Sequence, residues 1–281
     1  MRIVQLSDLH LTARPGARAW RSDVWSGLRR TLAALETVAP FERLVLSGDL
    51  ANRPTRATYA RLREALKPWI ERVRVVPGNH DGLALVRASF ADRMCEAHAG
   101  FVDRLASWRL IGLDSKRWAR VHGRIGSKQL DWLRAELATD AAPTLLFLHH
   151  PCVPIGTWWL DRDVVRDAPA LAEVIRKSPV QAVFCGHVHQ SFTGSFAGIA
   201  LHTCPSTAYQ FRPGSTRPGA VESRDSGLRV IDVDGATVRT HVLRVTEAGA
   251  VTDWESSATL LESHSEEEPI RRTNHPRLGR S

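Results

Sequence analysis

Short apolar runs alternate with amphipathic stretches through the first part of the chain. Runs of the length and composition typical of buried strands occur at residues 3–6, 43–46 and 73–76. Between them, residues 22–38 and 55–69 place apolar side chains at helical spacing, and Ser22 and Thr55 are the expected N-caps. Strands that alternate with helices in this way predict βαβ units and a largely parallel sheet.

Beyond residue 100 the same alternation continues and then changes. Further apolar strands are predicted at residues 101–102, 108–113, 144–148 and 180–184, with helices at 127–137 and 169–177. Later runs that alternate or lie beside Gly turns occur at 192–196, 199–203, 228–233 and 237–243. These later runs predict antiparallel hairpins and a second, mixed sheet.

The last part of the chain has a different composition. From about residue 255 onward it is polar, with little apolar periodicity. Such a segment cannot bury enough apolar surface to offset the entropy of ordering it. The sequence therefore predicts one domain at residues 1–254 and a disordered tail at residues 255–281.

Residues that bind metals follow five of the predicted strands directly. They form the segments Asp8-Leu9-His10, Gly48-Asp49, Gly78-Asn79-His80-Asp81, His149-His150 and Gly186-His187-Val188-His189. Taken alone, the first two segments are weak signals, since Asp and His are common in loops and Gly-Asp is an ordinary turn pair. The run Asn79-His80-Asp81 is a stronger signal, because it combines an amide, an imidazole and a carboxylate. The carboxyl ends of strands in an open α/β sheet lie at one edge, however, so all five are expected to converge there. Their oxygen and nitrogen ligands suit two divalent ions, and two adjacent ions suit phosphoester hydrolysis.

Composition adds a basic balance without a concentrated basic patch. The 281 residues carry a formal net charge of +8 and a pI near 10.0, and no run of five Lys or Arg occurs. Dispersed arginines are typical of solvated helix faces, so a nucleic-acid polymer is not expected as a partner. The four cysteines form no C-x-x-C pair, which favours reduced thiols in a cytoplasmic protein. Neither a secretory signal nor a membrane span is expected.

The motifs D-x-H, G-D, G-N-H-D, H-x-P and G-H-x-H, in this order, resemble those of the calcineurin-like metallophosphoesterases. The resemblance covers about residues 2–245. Within that superfamily it is similar to the bacterial class III cyclic nucleotide phosphodiesterase and glycerophosphodiesterase branch, on the segments His149-His150-Pro151, Trp159-Leu160-Asp161, Val121-His122-Gly123 and Pro205-Ser206-Thr207. The chain departs from this branch at Cys152, where a second proline is usual, and at residues 163–167.

The resemblance implies an α/β fold, a four-layer αββα sandwich with two mixed β-sheets and a di-metal site at the sheet rim. It implies that one ion is held by Asp8, His10, Asp49 and His189. It implies that the other is held by Asp49, Asn79, His149 and His187. The carboxylate of Asp49 would bridge the two ions, which are expected to be Fe, Mn or Zn.

The same resemblance implies in-line attack on phosphorus by a hydroxide that bridges the metals. His80 is expected to donate a hydrogen bond to the phosphate or a proton to the leaving alkoxide. Asp81 either orients His80 or caps the following helix. Substrate contacts are expected from Asn79, His80 and Trp159, although Trp158 and Trp159 are equally interpretable as packing of a flap.

We therefore expect a metal-dependent phosphodiesterase for 3′,5′-cyclic nucleotides such as cAMP, or for glycerophosphodiesters. A phosphomonoesterase or nucleotide pyrophosphatase on the same site is the alternative. A third hypothesis is a non-catalytic metal-binding scaffold for anionic partners, against which the non-ligand His80 argues. The resemblance also allows a homodimer or larger homo-oligomer, with Trp20 and Trp25 as candidate contact residues.

Overall fold

The computed structural model describes residues 1–95 and 98–253, so the predicted tail at 255–281 lies outside the described residues. The strands, in chain order, are β1 Arg2–Leu6, β2 Arg43–Ser47, β3 Val73–Val76, β4 Phe101–Leu105, β5 Trp108–Leu113, β6 Thr144–Leu148, β7 Val180–Cys185, β8 Phe192–Phe196, β9 Ile199–Thr203, β10 Gln210–Phe211, β11 Val221–Ser223, β12 Ser226–Asp234, β13 Thr237–Val245 and β14 Val251–Asp253. The α-helices are α1 Val24–Ala34, α2 Arg56–Ala65, α3 Leu83–Phe90, α4 Ser127–Leu137 and α5 Ala168–Ile175. Short 3₁₀ helices occur at Leu35–Val38, Lys67–Arg72, Ala91–Arg93 and Asp161–Asp163. In the described part of the chain, no helix has the length and apolar character that crossing a membrane requires.

Two six-stranded sheets form the centre of the fold. The first has the order β14-β13-β12-β1-β2-β3, in which β1, β2 and β3 are parallel and β12 runs antiparallel to β1. The second has the order β4-β5-β6-β7-β9-β8, with antiparallel strands β4 and β8 at its edges. Both sheets are therefore mixed, as predicted.

The late hairpins do not form a sheet of their own, so that part of the prediction is wrong. The β8–β9 hairpin extends the second sheet beside β7, whereas the β12–β13 hairpin extends the first sheet beside β1. A strand edge presents unpaired N–H and C=O groups, and each hairpin pairs with the edge that the parallel strands leave open. Both sheets consequently contain strands from both halves of the chain.

Apolar side chains fill three layers, which confirms the αββα arrangement. Ile3 and Val45 of the first sheet meet Phe147 and Phe184 of the second in a core between the sheets. Their neighbours in sequence, such as Val4, point to the opposite face, against α1 and α2. Helices α4 and α5 cover the outer face of the second sheet. Because the central strands are buried on both faces, they are continuous apolar runs.

Two helix starts test the predicted caps. Thr55 caps α2 as predicted, since its side chain accepts a hydrogen bond from the backbone N–H of Thr58 at 3.2 Å. The cap of α1 is Asp23, whose carboxylate accepts from the N–H of Ser26 at 3.1 Å, so the prediction of Ser22 is wrong by one residue. Ser22 instead pairs with Ala19 in a tight turn just before the helix.

Candidate metal centre

The loops after β1, β2, β3, β6 and β7 meet at one rim, where both sheets end. They are tied to one another by backbone hydrogen bonds: the N–H of Asp8 donates to the carbonyl of Gly48, and the N–H of Gly186 donates to the carbonyl of His149. The parallel direction of these strands places their carboxyl ends together. All seven residues predicted as metal ligands lie at this rim.

Three of these residues form a cluster on one side of Asp49, which we call the Asp8 half-site: Asp8, His10 and His189. His189 Nε2 lies 3.3 Å from Asp8 Oδ1 and 3.0 Å from His10 Nε2. His10 Nε2 lies 3.6 Å from Asp49 Oδ2. The potential ligand atoms therefore converge on a space of the size that one cation occupies.

A second cluster lies on the other side of Asp49, and we call it the Asn79 half-site: Asn79, His149 and His187. His149 Nε2 lies 3.1 Å from Asn79 Oδ1 and 3.5 Å from Asp49 Oδ2. The ring of His187 is centred 5.1 Å from that of His149. Asp49 thus borders both clusters with the same carboxylate oxygen.

Backbone carbonyls fix the tautomers of two of the histidines. His149 Nδ1 lies 2.8 Å from the carbonyl oxygen of Ser47, and His189 Nδ1 lies 2.9 Å from that of Tyr209. A carbonyl oxygen can only accept, so each Nδ1 carries the hydrogen. In the neutral ring each Nε2 is left with a lone pair that points into its half-site, which is the arrangement metal-binding histidines use.

Three buried atoms of the rim residues have no hydrogen-bond partner among the described residues: Nε2 of His187, Oδ1 of Asp8 and Nδ1 of His10. The first two belong to groups whose atoms face the half-sites. Leaving a buried polar atom unpaired costs free energy unless something else satisfies it. A cation in each half-site would satisfy His187 Nε2 and Asp8 Oδ1, so the residues fit a pair of divalent ions.

Except at His149, the electrostatics keep these ligand groups in the states that cations require. Burial opposes ionisation of Asp8, but the neighbouring His189 ring lowers the pKa of its carboxyl to about 2. Burial lowers the pKa of His10 and of His187 to about 3, so both rings are neutral at pH 7. At His149 burial is outweighed by Asp49, which raises the pKa of the ring to about 9. A cation bound beside His149 would take the place of that proton.

The backbone is strained at the same rim. The φ angle is positive at Asp8 (54°), His10 (43°), Asp49 (50°), His187 (73°) and His189 (51°). Non-glycine residues seldom adopt this conformation, and such residues concentrate at functional sites. The strained backbone is therefore a second, independent indication that this rim is a functional site.

Two glycines of the motifs permit the close approach of these loops. A Cβ atom at Gly78 would overlap the backbone N and the carboxylate of Asp49. A Cβ atom at Gly186 would overlap Ser7 Oγ and crowd the carboxylate of Asp8. The glycine in each motif is thus required by the packing of carboxylates against backbone.

His80 lies at the open side of the centre, with its side chain 40% exposed. Its Nε2 is 4.0 Å from Asp49 Oδ2, and its ring is centred 4.8 Å from that of His10. Its Nδ1 lies 3.1 Å from the carbonyl oxygen of Asn52 and therefore carries a hydrogen. This contact points Nε2 toward the space above the two half-sites.

The predicted hydrogen bond from the His80 ring to the Asp81 carboxylate is contradicted, because the His80 Nδ1–H donates to the carbonyl of Asn52 instead. The buried Asp81 carboxylate accepts instead from the N–H groups of Gly78, Leu50 and Ala51, and from the hydroxyl of Tyr59 at 2.9 Å. The alternative of a helix cap also fails, since α3 is preceded by Gly82 and has no side-chain cap. Asp81 fastens the two ligand loops after β2 and β3 to each other.

His150 lies beside the candidate metal centre, but both of its ring nitrogens form hydrogen bonds with other groups. Its Nε2 donates to the carbonyl of Val121 at 2.7 Å, and its Nδ1 accepts from the Ser115 hydroxyl at 2.8 Å. Both nitrogens are occupied, so His150 is a support for the neighbouring loop. Cys152 is buried, and burial raises the pKa of its thiol, which argues against the nucleophile interpretation.

Lys116 is a residue of the rim that the motifs did not reveal. Its Nζ donates to the carbonyl oxygen of Asn79 at 2.6 Å, and its backbone N–H donates to Asp114. The segment from Asp114 to Lys116 follows β5 directly. The other rim loops were predicted because polar residues follow a strand directly. The same pattern occurs after β5, so the loop at Lys116 could have been predicted in the same way.

Aromatic residues border the Asp8 half-site. The Phe211 ring lies 4.6 Å from His189, and the half-buried Trp159 packs edge-on behind it, 4.9 Å away. Trp158 is 49% exposed, and its indole N–H donates to the carbonyl of Thr216. Trp25, expected to be exposed at an interface, lies in the first turn of α1 with 5% exposure, so that expectation is wrong.

Comparisons with known proteins agree with this geometry. The sequence model of the calcineurin-like phosphoesterase family matches residues 1–191. The chain is 32% identical to the 3′,5′-cyclic adenosine monophosphate phosphodiesterase CpdA of Escherichia coli, over 88% of this chain and 90% of that protein. It is 34% identical to a probable cyclic nucleotide phosphodiesterase of Synechococcus, over 74% of this chain and 81% of that protein.

Solved structures support the fold. A dimetal phosphatase from Danio rerio superposes with a TM-score of 0.62, covering 86% of this chain and 94% of that one. The two sequences are 14% identical, so the likeness concerns the fold alone.

Proposed function

Because the chain belongs to the calcineurin-like phosphoesterase family and is a metal-dependent phosphodiesterase, we propose that its substrates are 3′,5′-cyclic nucleotides such as cAMP, with glycerophosphodiesters as the second class. The observation that carries the proposal is the pair of half-sites that share Asp49. We further propose that they hold two divalent ions drawn from Fe, Mn and Zn, whose relative abundance as well as affinity decides occupancy.

The proposed ligands are those at the rim: Asp8, His10 and His189 for one ion, Asn79, His149 and His187 for the other, and Asp49 for both. When bound, two such ions supply an activated water and offset the negative charge of the phosphate oxygens. The protein's own part is to hold these atoms in fixed positions. The carbonyls of Ser47 and Tyr209 orient two imidazoles, and Asp81 fastens the loops that carry Asp49 and Asn79.

His80 is the proposed proton donor. Its Nδ1–H is bound to the carbonyl of Asn52, so Nε2 is the nitrogen that faces the substrate space, and His80 acts as a donor when it carries a second proton there. Transfer of that proton to the departing oxygen prevents the formation of a free alkoxide. Asn79 and Trp159 remain proposed substrate contacts, the first through its position at the rim and the second through its packing against Phe211.

The test compares a diester with a monoester. Metal-stripped protein is reloaded with Mn²⁺ and assayed on bis(p-nitrophenyl) phosphate and on p-nitrophenyl phosphate, with Asp49→Ala as the control. Strong turnover of the diester that disappears in the control is expected. cAMP and glycerophosphoethanolamine then distinguish the two substrate classes.

Other outcomes point to the alternatives. Activity on the monoester alone would favour a phosphomonoesterase. No turnover with any divalent ion, together with salt-dependent retention on DNA, would favour the non-catalytic scaffold.

We also propose a cytoplasmic location and a homo-oligomer. The four cysteines are free thiols, three of them buried, which is in line with a reducing compartment. Light scattering of the purified chain tests the oligomeric state.

A further inference from the structure

We propose that Trp20 forms a binding platform for the nucleobase of the substrate, beside the Asp8 half-site. The inference rests on the proposed function and deepens it. It assigns the base of a nucleotide to one side of the metal centre, and it identifies a residue that favours cyclic nucleotides over glycerophosphodiesters.

The backbone at Trp20 is strained. The N–H of Ala19 donates to the carbonyl of Ser22 at 3.1 Å, and the reverse bond is 2.8 Å long. The two residues between them, Trp20 and Arg21, have φ angles of 48° and 65°. Such a two-residue turn strongly prefers Asn-Gly, because both of its central residues need positive φ. A bulky tryptophan is unfavourable there, so its presence points to a use of the side chain.

The indole ring lies one ring away from the metal ligands. Its centroid is 6.0 Å from that of Tyr209 and 5.7 Å from that of Phe211. Tyr209 in turn lies 5.6 Å from His10, and Phe211 lies 4.6 Å from His189. A ligand whose phosphate lies at the half-sites can therefore reach Trp20 with the opposite end of the same molecule.

The ring is fixed on one side and open on the other. It rests against Gly219, where a Cβ atom would overlap the outer edge of the indole. Tyr209 and Phe211 are buried, with 1% and 6% exposure, and cannot offer a free face. Trp20 is 51% exposed, so it is the member of this aromatic group that can stack on a ligand.

This arrangement selects the chemistry of the ligand. A nucleotide carries a planar base and a phosphate at opposite ends of one ribose. Stacking on an aromatic side chain suits any base, because every base has a π-face. Glycerophosphodiesters have no ring to stack. The platform consequently predicts tolerance of different bases together with discrimination against diesters that lack one.

The test measures the contribution of the base with two ligands that differ only in it. AMP and ribose 5-phosphate are titrated calorimetrically into Mn²⁺-loaded protein, and cAMP hydrolysis is measured alongside. Trp20→Asn removes the ring and supplies a residue that the turn prefers, so the variant is expected to fold at least as stably. Trp20→Phe keeps a ring and serves as the conservative variant.

We expect Trp20→Asn to weaken AMP binding by about tenfold or more, a loss typical of base stacking, with ribose 5-phosphate binding unchanged. Trp20→Phe should retain most of the AMP affinity.

Equal effects on the binding of AMP and ribose 5-phosphate would overturn the platform and leave the proposed function intact. The same holds if Trp20→Asn does not change AMP binding while the wild type hydrolyses cAMP. Absence of both cAMP turnover and AMP binding in the wild type would overturn the proposed function itself. A change of oligomeric state in Trp20→Asn with unaltered AMP affinity would assign Trp20 to an interface between copies and contradict the inference.

Discussion

The two half-sites of the candidate metal centre share Asp49 but differ in charge. The Asp8 half-site brings a carboxylate of its own, ionised and buried, together with two imidazoles. The Asn79 half-site brings a neutral amide in the corresponding place. Affinity for a cation rises with the number of charged ligands. If two ions bind as proposed, this difference in charge predicts that the Asp8 half-site holds its ion more firmly than the Asn79 half-site does.

The two halves also differ in their surroundings. Aromatic rings border the Asp8 half-site, with Tyr209 and Phe211 against its histidines. Polar groups border the Asn79 half-site, where Lys116 donates to the backbone of Asn79. An unsymmetrical substrate with a planar end and a charged centre therefore has one favoured orientation across the pair.

The largest expected effect on turnover comes from removing the Asp49 carboxylate, which the two half-sites share. Asp49→Ala should lower turnover of cAMP by at least about 10³-fold, because in the proposed two-ion centre this carboxylate is a ligand of both ions. Metal content, measured by inductively coupled plasma mass spectrometry, should fall in both half-sites. Retention of two ions with full turnover would show that the halves are not joined through this carboxylate.

The second-largest effect is expected from His80→Ala, which tests proton donation separately from metal binding. His80→Ala should reduce turnover by about 10²- to 10⁴-fold, the usual range for a general acid, with metal content unchanged. His241→Ala removes an exposed histidine from β13 and serves as the matched control. Loss of metal in His80→Ala would assign His80 to the ligands instead.

The difference between the halves is tested most sharply by two matched substitutions. Asp8→Asn replaces a charged ligand with an amide, and Asn79→Ala deletes the amide on the other side. After dialysis against a chelator, Asp8→Asn should lose the firmly held ion, whereas Asn79→Ala should retain that ion and lose only the exchangeable one. Equal losses in the two variants would contradict the asymmetry.

The smallest effect concerns stability at the polar border of the Asn79 half-site. Burial raises the pKa of Asp114 to about 6, above the ordinary value of 3.8. The carboxyl is neutral in both the folded and the unfolded chain well below its ordinary pKa of 3.8. Between about pH 4 and pH 6 the unfolded chain loses the proton first, so the wild type loses stability as the pH rises through this window.

Asparagine does not titrate, so Asp114→Asn does not lose stability between pH 4 and pH 6 for this reason. Relative to the wild type, its free energy of unfolding should increase by roughly 2 kcal/mol between pH 4 and pH 7, measured by urea denaturation. Asp131→Asn, at an exposed position of α4, provides the control. A difference between Asp114→Asn and the wild type that stays constant across this range would contradict the effect.

The candidate ligand segments of the rim could be predicted from the sequence, because their position depends on the strand that immediately precedes each of them. Each ligand segment follows a strand, and parallel strands bring such segments together whatever lies between them. The role of Asp81 could not be predicted, because it depends on N–H groups of Leu50 and Ala51, some 30 residues away in sequence. Trp20 is a stronger case, since its contacts with Tyr209 and Phe211 join segments from opposite ends of the domain. Sequence pattern could not assign the late hairpins either, because which edge strand a hairpin joins depends on the assembled sheets.

The central claim is that two half-sites joined by Asp49 act together on a phosphodiester. The most direct test titrates metal-stripped protein with Mn²⁺ and follows, in the same samples, the ions bound per chain and the rate of cAMP hydrolysis. The account predicts little turnover while only the Asp8 half-site is filled and a steep rise as the second ion binds. Full turnover with one ion per chain would contradict it.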